Sequence, residues 1–209
     1  MKKFLLFLLA LCSYMTVNAQ IFHFGPSFAG ICNISDASKT KMGFAVGAKA
    51  EMNFNDSNNG WYVDASALFN NRNWQTDEYY YTDTKLSKYW KYSTYSVVIP
   101  VSVGYKISLL DNLNLFAAIG PYVEFGLSGS DKVVTVDANG HSEEDKVSSN
   151  VFKDDIFKCV NTGYQAKIGI DIAKHYQVNV AYSHSFTNVF KGGIDGKTQD
   201  VSLGFAYIF

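Results

Sequence analysis

The sequence predicts an all-β fold, an eight-stranded antiparallel up-and-down β-barrel that crosses a membrane with its strands. Three observations predict it. Apolar and polar residues alternate through stretch after stretch, the period of a strand with two different environments. Aromatic residues recur ten positions apart on the apolar faces, as at Tyr95 and Tyr105, Phe44 and Phe54, and Tyr176 and Phe186. Connections between the stretches alternate between short and long, as the two rims of an outer-membrane barrel do.

The clearest strand is Tyr95 to Lys106. Tyr95, Val97, Ile99, Val101, Val103 and Tyr105 form one face; Ser96, Val98, Pro100, Ser102, Gly104 and Lys106 form the other. Ten residues at about 3.3 Å each cover roughly 33 Å. A strand tilt of about 40° reduces that to about 25 Å, the height of an outer-membrane apolar band. Tyrosine suits both ends, with its ring buried and its hydroxyl wet.

The chain opens on an export signal. Lys2 and Lys3 precede the short apolar run Phe4 to Leu11, and Val17-Asn18-Ala19 fits signal peptidase. Residues 1–19 are therefore expected to be removed, leaving 20–209 as one barrel domain. The apolar run is too short for a spanning helix, and Leu11 before Cys12 is too bulky for lipidation. A mean hydropathy of -0.05 fits a barrel, in which alternating residues cancel. A net charge of -1 gives no case for nucleic acid.

Strands then follow in order. Phe22 to Ile31 carries Phe22, Phe24 and Phe28 on one face. Gly43 to Phe54 follows the polar loop Asn33 to Lys41. Asn55 to Gly60 is turn chemistry. A third strand starts at Trp61, with Val63, Ala65, Ala67 and Phe69 outward and Tyr62, Asp64, Ser66, Leu68 and Asn70 inward. Asn71 to Tyr89 is a polar, tyrosine-rich connection that can continue the hairpin above the membrane. After the fourth strand and a turn around Leu109 to Asn112, Leu115 to Phe125 alternates again. Ser128 to Val160 is the longest polar segment. Tyr164 to Ile172, the tight turn Ala173-Lys174-His175, Tyr176 to Phe186, the glycine-bearing loop Asn188 to Lys197, and Val201 to Phe209 complete the set. An even strand number places both ends of the barrel domain on the short-turn rim. The first and last strands must pair, because no edge is tolerated in lipid.

The stretches IPVSVGYKI (Ile99 to Ile107), AAIGPYVEFGL (Ala117 to Leu127) and VSLGFAYIF (Val201 to Phe209) resemble the PorT-like outer-membrane β-barrel family. The resemblance runs over essentially the whole mature chain, apart from the charged segment Ser128 to Val160. It implies an outer-membrane location and a last strand read by the outer-membrane insertion machinery, with Phe205, Tyr207 and Phe209 as the aromatic frame of that signal. Some members of the family assist protein secretion.

Chemistry in the membrane zone is confined to the inward faces. These carry Lys49, Glu51, Asp64, Lys106, Glu124, Lys167, Asp171 and Asp200. If Phe54 faces Trp61, then Glu51 faces Asp64. Opposed carboxylates suit either acid catalysis or a lumenal ion cluster with Lys106 or Lys167 as counter-charge. Small barrels fill their interior with side chains, which favours the cluster. Ser183-His184-Ser185 is the one serine–histidine run, but neighbours in a strand point to opposite faces, so neither serine reaches the imidazole. His23, His141 and His175 have no metal-ligand spacing. His141 with Glu143, Glu144 and Asp145 reads as a solvated charge run. No catalytic, cofactor-binding or metal-binding residue is assigned.

Cys32 and Cys159 fall near the outer rim. A disulfide between them would cross the mouth; two free buried thiols are the alternative. With Tyr105 facing Leu115 across the turn, Ile99 faces Pro121 and Pro100 faces Gly120, so the two prolines are expected side by side at mid-membrane, where their missing N–H groups interrupt the ladder through a bulge. Taken together, the expectation is a non-enzymatic outer-membrane barrel. Outer-membrane lipid and the insertion machinery are its partners, and segments 71–89 and 128–160 its candidate ligand-binding loops; a lipid-modifying enzyme and a narrow pore are the alternatives.

Overall fold

The computed structural model describes residues 22–34, 38–54, 59–191 and 196–209. The expected leader 1–19, the turn at 55–58 and part of the glycine-bearing loop at 192–195 lie outside the described residues. Eleven strands form among the described residues: β1 (Phe22–Asn33), β2 (Ser38–Thr40), β3 (Met42–Asn53), β4 (Gly60–Thr76), β5 (Tyr79–Tyr81), β6 (Leu86–Leu110), β7 (Leu113–Val136), β8 (Ser142–Ser148), β9 (Val160–Ile172), β10 (Tyr176–Ser185) and β11 (Gln199–Tyr207). Eight of them, β1, β3, β4, β6, β7, β9, β10 and β11, pair antiparallel with their neighbours along the chain. Pairing of β1 with β11, from Ser27 opposite Ala206 to Asn33 opposite Asp200, closes the ring. No unpaired edge is then left in lipid.

The expected faces are the observed ones. Phe24, Phe28, Val101, Val103, Ile119, Ile168, Val180 and Leu203 are exposed around the outer wall, while Tyr62, Asp64, Phe116, Tyr122 and Glu124 are buried in the lumen. Aromatic rings mark both ends of the apolar belt. Trp61 packs edge-on against Tyr105 at the short-turn rim, and Phe69 stacks on Tyr95 at the other. The turn at Ala173 and Lys174 has two consecutive positive φ angles, 53° and 65°, the hand that continues the strand twist.

Three lumenal rings are seated on glycines. Tyr62 lies opposite Gly104, Phe116 opposite Gly169 and Tyr122 opposite Gly163. A Cβ at any of these glycines would sit 2.6 Å from the ring, so only a hydrogen there lets the ring lie flat across the neighbouring strand.

Three features differ from expectation. First, the polar segment at 128–160 carries strand at 128–136 and 142–148, while the connection at 71–89 continues the hairpin, as expected. β4, β6 and β7 run on beyond the membrane belt, with β2 added to β4, β5 to β6 and β8 to β7. Above the belt the outward face meets water in place of lipid and the inward face holds Arg72, Thr94 and Asp131, so the apolar alternation that marks a membrane strand is missing there. Second, Leu127 is an extra residue in β7, and the β6–β7 register shifts between Tyr95 and Ser96. This bulge reverses the faces of β7: Glu124 is buried below it, Gly129 and Asp131 above it.

Third, the β6–β7 register differs by two from the expected one. β6 continues to Leu110, which centres the turn one residue later, and Tyr105 faces Ala117. Pro100 therefore faces Tyr122 and not Gly120, and the two prolines are not side by side. The ladder interruptions do occur. Pairing of β6 with β7 omits Val101 and Ser102, opposite Pro121 and Gly120 respectively, and pairing of β4 with β6 omits Ile99 and Pro100. Each proline breaks one ladder and keeps the other, and the register resumes unchanged, so no bulge is present at either.

Candidate functional site

The inward charges assemble into two buried networks. In the lower one, Glu51 faces Asp64 across the β3–β4 hairpin, as expected. Their repulsion is removed by Lys49, whose Nζ lies 3.2 Å from Glu51 and 3.1 Å from Asp64. Lys167 donates to both Asp64 oxygens at 2.7 and 2.6 Å. Lys106 bridges Glu51 and Asp171, the latter at 2.9 Å. Gln177 accepts from Lys49 at 2.6 Å and donates to Glu51 at 3.0 Å. Lys106 also sits 5.2 Å from the Tyr62 ring centroid. Three lysines thus neutralise three carboxylates, an arrangement of mutual satisfaction and not a poised acid pair.

Nearer the long-hairpin rim, Arg72 holds the second network. Its guanidinium donates to Glu124 at 3.0 and 3.1 Å and lies 2.7 Å from Asp200. Glu124 also accepts from Ser96 at 2.7 Å and Asn161 at 3.1 Å, and Asp200 accepts from Asn33 at 3.2 Å. Sequence reasoning found Glu124 and Asp200 but missed Arg72, which sits in the polar run Asn70-Asn71-Arg72-Asn73. Its one signal was parity, since Arg72 continues the inward series Tyr62, Asp64, Asn70.

An apolar cap closes the mouth above Arg72. Trp74 stacks on Tyr92 at 5.5 Å, both lie 5.4 Å from Phe157, and Phe157 meets Phe190 at 4.9 Å. Val151, Phe157 and Val189 form its buried centre. Two spaces beside these groups are small, about 60 Å³ near Tyr122 and Gln165 and about 20 Å³ under the cap. A larger cleft, about 480 Å³, lies on the hairpin sheet between Lys41, Gln75, Lys91, Lys132 and Glu144. There Glu144 accepts from Lys91 at 2.8 Å and Lys132 at 2.6 Å. These hydrogen bonds, Lys132 first, hold its carboxyl down at about 2.

A family model described as "Outer membrane protein beta-barrel domain" matches residues 16–191. The chain belongs to this outer-membrane β-barrel family. Among curated proteins nothing matches. Solved structures with similarity include Neisserial surface protein A (11% identity, 90% of this chain and 97% of that chain covered, TM-score 0.44) and OprG from Pseudomonas aeruginosa (12%, 90% and 95%, 0.43). The outer membrane enzyme PagL is a third (13%, 86% and 97%, 0.37). At these identities and scores they carry no argument about binding or catalysis in this chain.

The remaining candidates of this outer-membrane barrel are distributed as follows. His184 lies with Tyr164 and Tyr182 on the outward face. Ser183 accepts from Gln165 and Ser185 from the Thr198 amide, so both serines are engaged away from the imidazole. His141 lies 3.5 Å from Asp137, and among the described residues no cluster of histidine, cysteine and carboxylate could hold a metal. Glu144, exposed as expected of a solvated charge run, also links β6, β7 and β8 through Lys91 and Lys132. Cys32 and Cys159 are free thiols; Cys159 is exposed and Cys32 partly buried, so the pair is neither bridged nor sequestered. Phe209 donates its amide to Phe24 at 2.9 Å, and its ring joins Phe24 and Tyr207 on the outer wall.

Proposed function

We propose that this outer-membrane barrel is a plugged, non-enzymatic anchor that presents its long hairpins as a binding platform outside the cell. One observation carries the reading: the lumen is occupied along its length by paired charges, glycine-seated rings and an aromatic cap, while a sizeable cleft lies on the hairpin sheet. A conduit would need an open interior, and a hydrolase would need a nucleophile beside its base; the side chains here are committed to each other. The PorT-like resemblance supports a secretion-accessory role as one use of such a platform, and the leader expected at residues 1–19 supports its export. The exposed thiol of Cys159 at the hairpin rim supplies the test. On intact cells carrying Cys32→Ser, a membrane-impermeant maleimide should label Cys159, and adding Cys159→Ser should abolish the label. Labelling only after the outer membrane is broken would place the hairpins inside and refute the platform.

A further inference from the structure

One row of residues crosses the hairpin sheet from edge to edge. Lys39 on β2 pairs with Gln75 on β4, Gln75 with Lys91 on β6, Lys91 with Lys132 on β7, and Lys132 with Lys146 on β8. Directly paired residues of antiparallel strands share a face. Four strand spacings of about 4.8 Å make the row about 19 Å long. Lys41 lines the cleft beside it.

The face is outward. Lys91 has the parity of Tyr95, which is exposed on the outer wall, while Thr94 and Ser96 are buried inside. The Leu127 bulge keeps β7 in phase, since it turns Asp131 inward and Lys132 outward. Lys91 is four residues above Tyr95, about 13 Å along the strand and about 10 Å in height after tilt. The ammonium groups therefore point sideways into the headgroup layer, and not upward into solution.

Like charges directly opposed weaken a sheet. Lys91, Lys132 and Lys146 occupy adjacent positions in one row, and Glu144 is the carboxylate that bonds Lys91 and Lys132. The lysine side of this face is left with several charges more than Glu144 can neutralise. That surplus becomes favourable only against an anion extended along the row.

We propose that the Lys39–Lys91–Lys132–Lys146 row docks the phosphate groups of glycolipid headgroups in the outer leaflet. The proposal rests on the platform reading, because it needs the hairpins outside. Charge complementarity selects the phosphate, and the height and sideways aim select a lipid headgroup over a soluble polyanion.

The test uses the full chain reconstituted in phosphatidylcholine bilayers. Fluorescence transfer from the protein's tryptophans is titrated with a dansyl-labelled diphosphorylated glucosamine-disaccharide lipid, and with the same lipid after phosphate removal. Affinity should fall tenfold or more in the triple variant Lys39→Gln, Lys132→Gln, Lys146→Gln, and equally when the phosphates are removed. Glu144→Gln should tighten binding at least threefold, because it releases two lysines, a direction that mere loss of structure would not produce. Unchanged affinity in the triple variant, equal binding of the phosphate-free lipid, or weaker binding by Glu144→Gln would overturn the proposal. Displacement of the lipid by micromolar soluble polyphosphate would also overturn it, by moving the ligand into solution. Gel mobility before and after boiling verifies that each variant is folded. Failure of Cys159 labelling on cells would refute the platform while leaving the titration to report on the ligand.

Discussion

Replacing Arg72 with methionine removes one cation from between two buried carboxylates. Side chains of Arg72, Glu124 and Asp200 are 6–8% exposed, so neither acid can turn to water. Breaking a buried ion pair from one side costs about 3–5 kcal/mol. Glu124 keeps its bonds from Ser96 and Asn161, and Asp200 keeps Asn33, which places the loss near the lower end, about 3 kcal/mol. Arg72→Lys should lie between, because a point charge cannot reproduce the fork that reaches both acids. The triple variant Arg72→Met, Glu124→Gln, Asp200→Asn should recover most of the loss by removing the stranded charge. Urea titration of the detergent-folded barrel, read by gel mobility and tryptophan fluorescence, measures each. A loss under about 1 kcal/mol for Arg72→Met, or no recovery in the triple variant, would show that Arg72 does not hold the upper network.

Three further outcomes are expected. Gly104→Val should lower stability by about 1–3 kcal/mol in the same titration, since its side chain would enter the Tyr62 ring. Asp131 is buried above the belt, and burial pushes its carboxyl up to about 6. A carboxyl raised in the fold adds stability below its unfolded value near 4 and loses it as pH rises through about 6. Asp131→Asn should therefore be more stable than the parent at pH 7, by roughly 1–2 kcal/mol, and equal to it near pH 4, as urea titrations at the two pH values would record. Phe209→Asp puts a charge among Phe24, Tyr207 and lipid, and should leave the protein in the periplasm; fractionation showing parental membrane levels would remove Phe209 from the insertion frame.

Much of this barrel was legible because period-2 alternation reports face directly. Every lumenal charge assigned from the sequence is on the lumenal side, and the 54–61 turn set the Glu51–Asp64 pairing correctly. Register in the β6–β7 hairpin was not legible. It depends on where two residues, Asp111 and Asn112, turn the chain, and displacing that point by one residue shifts every partner by two. Arg72 and the lysine row were hidden for another reason. Above the lipid belt a strand's outward face is no longer apolar, so polar runs such as Asn70 to Asn73 read as loop although the ladder continues. The Leu127 bulge, which reverses the faces of β7, has no signature in the residues around it.

Single-channel recording tests the filled lumen most directly. The folded protein, reconstituted at low density in a planar lipid bilayer, should give no steady conductance in molar salt, because both ion networks and the aromatic cap lie across the path. Stable, ohmic steps from the parent protein would contradict the account.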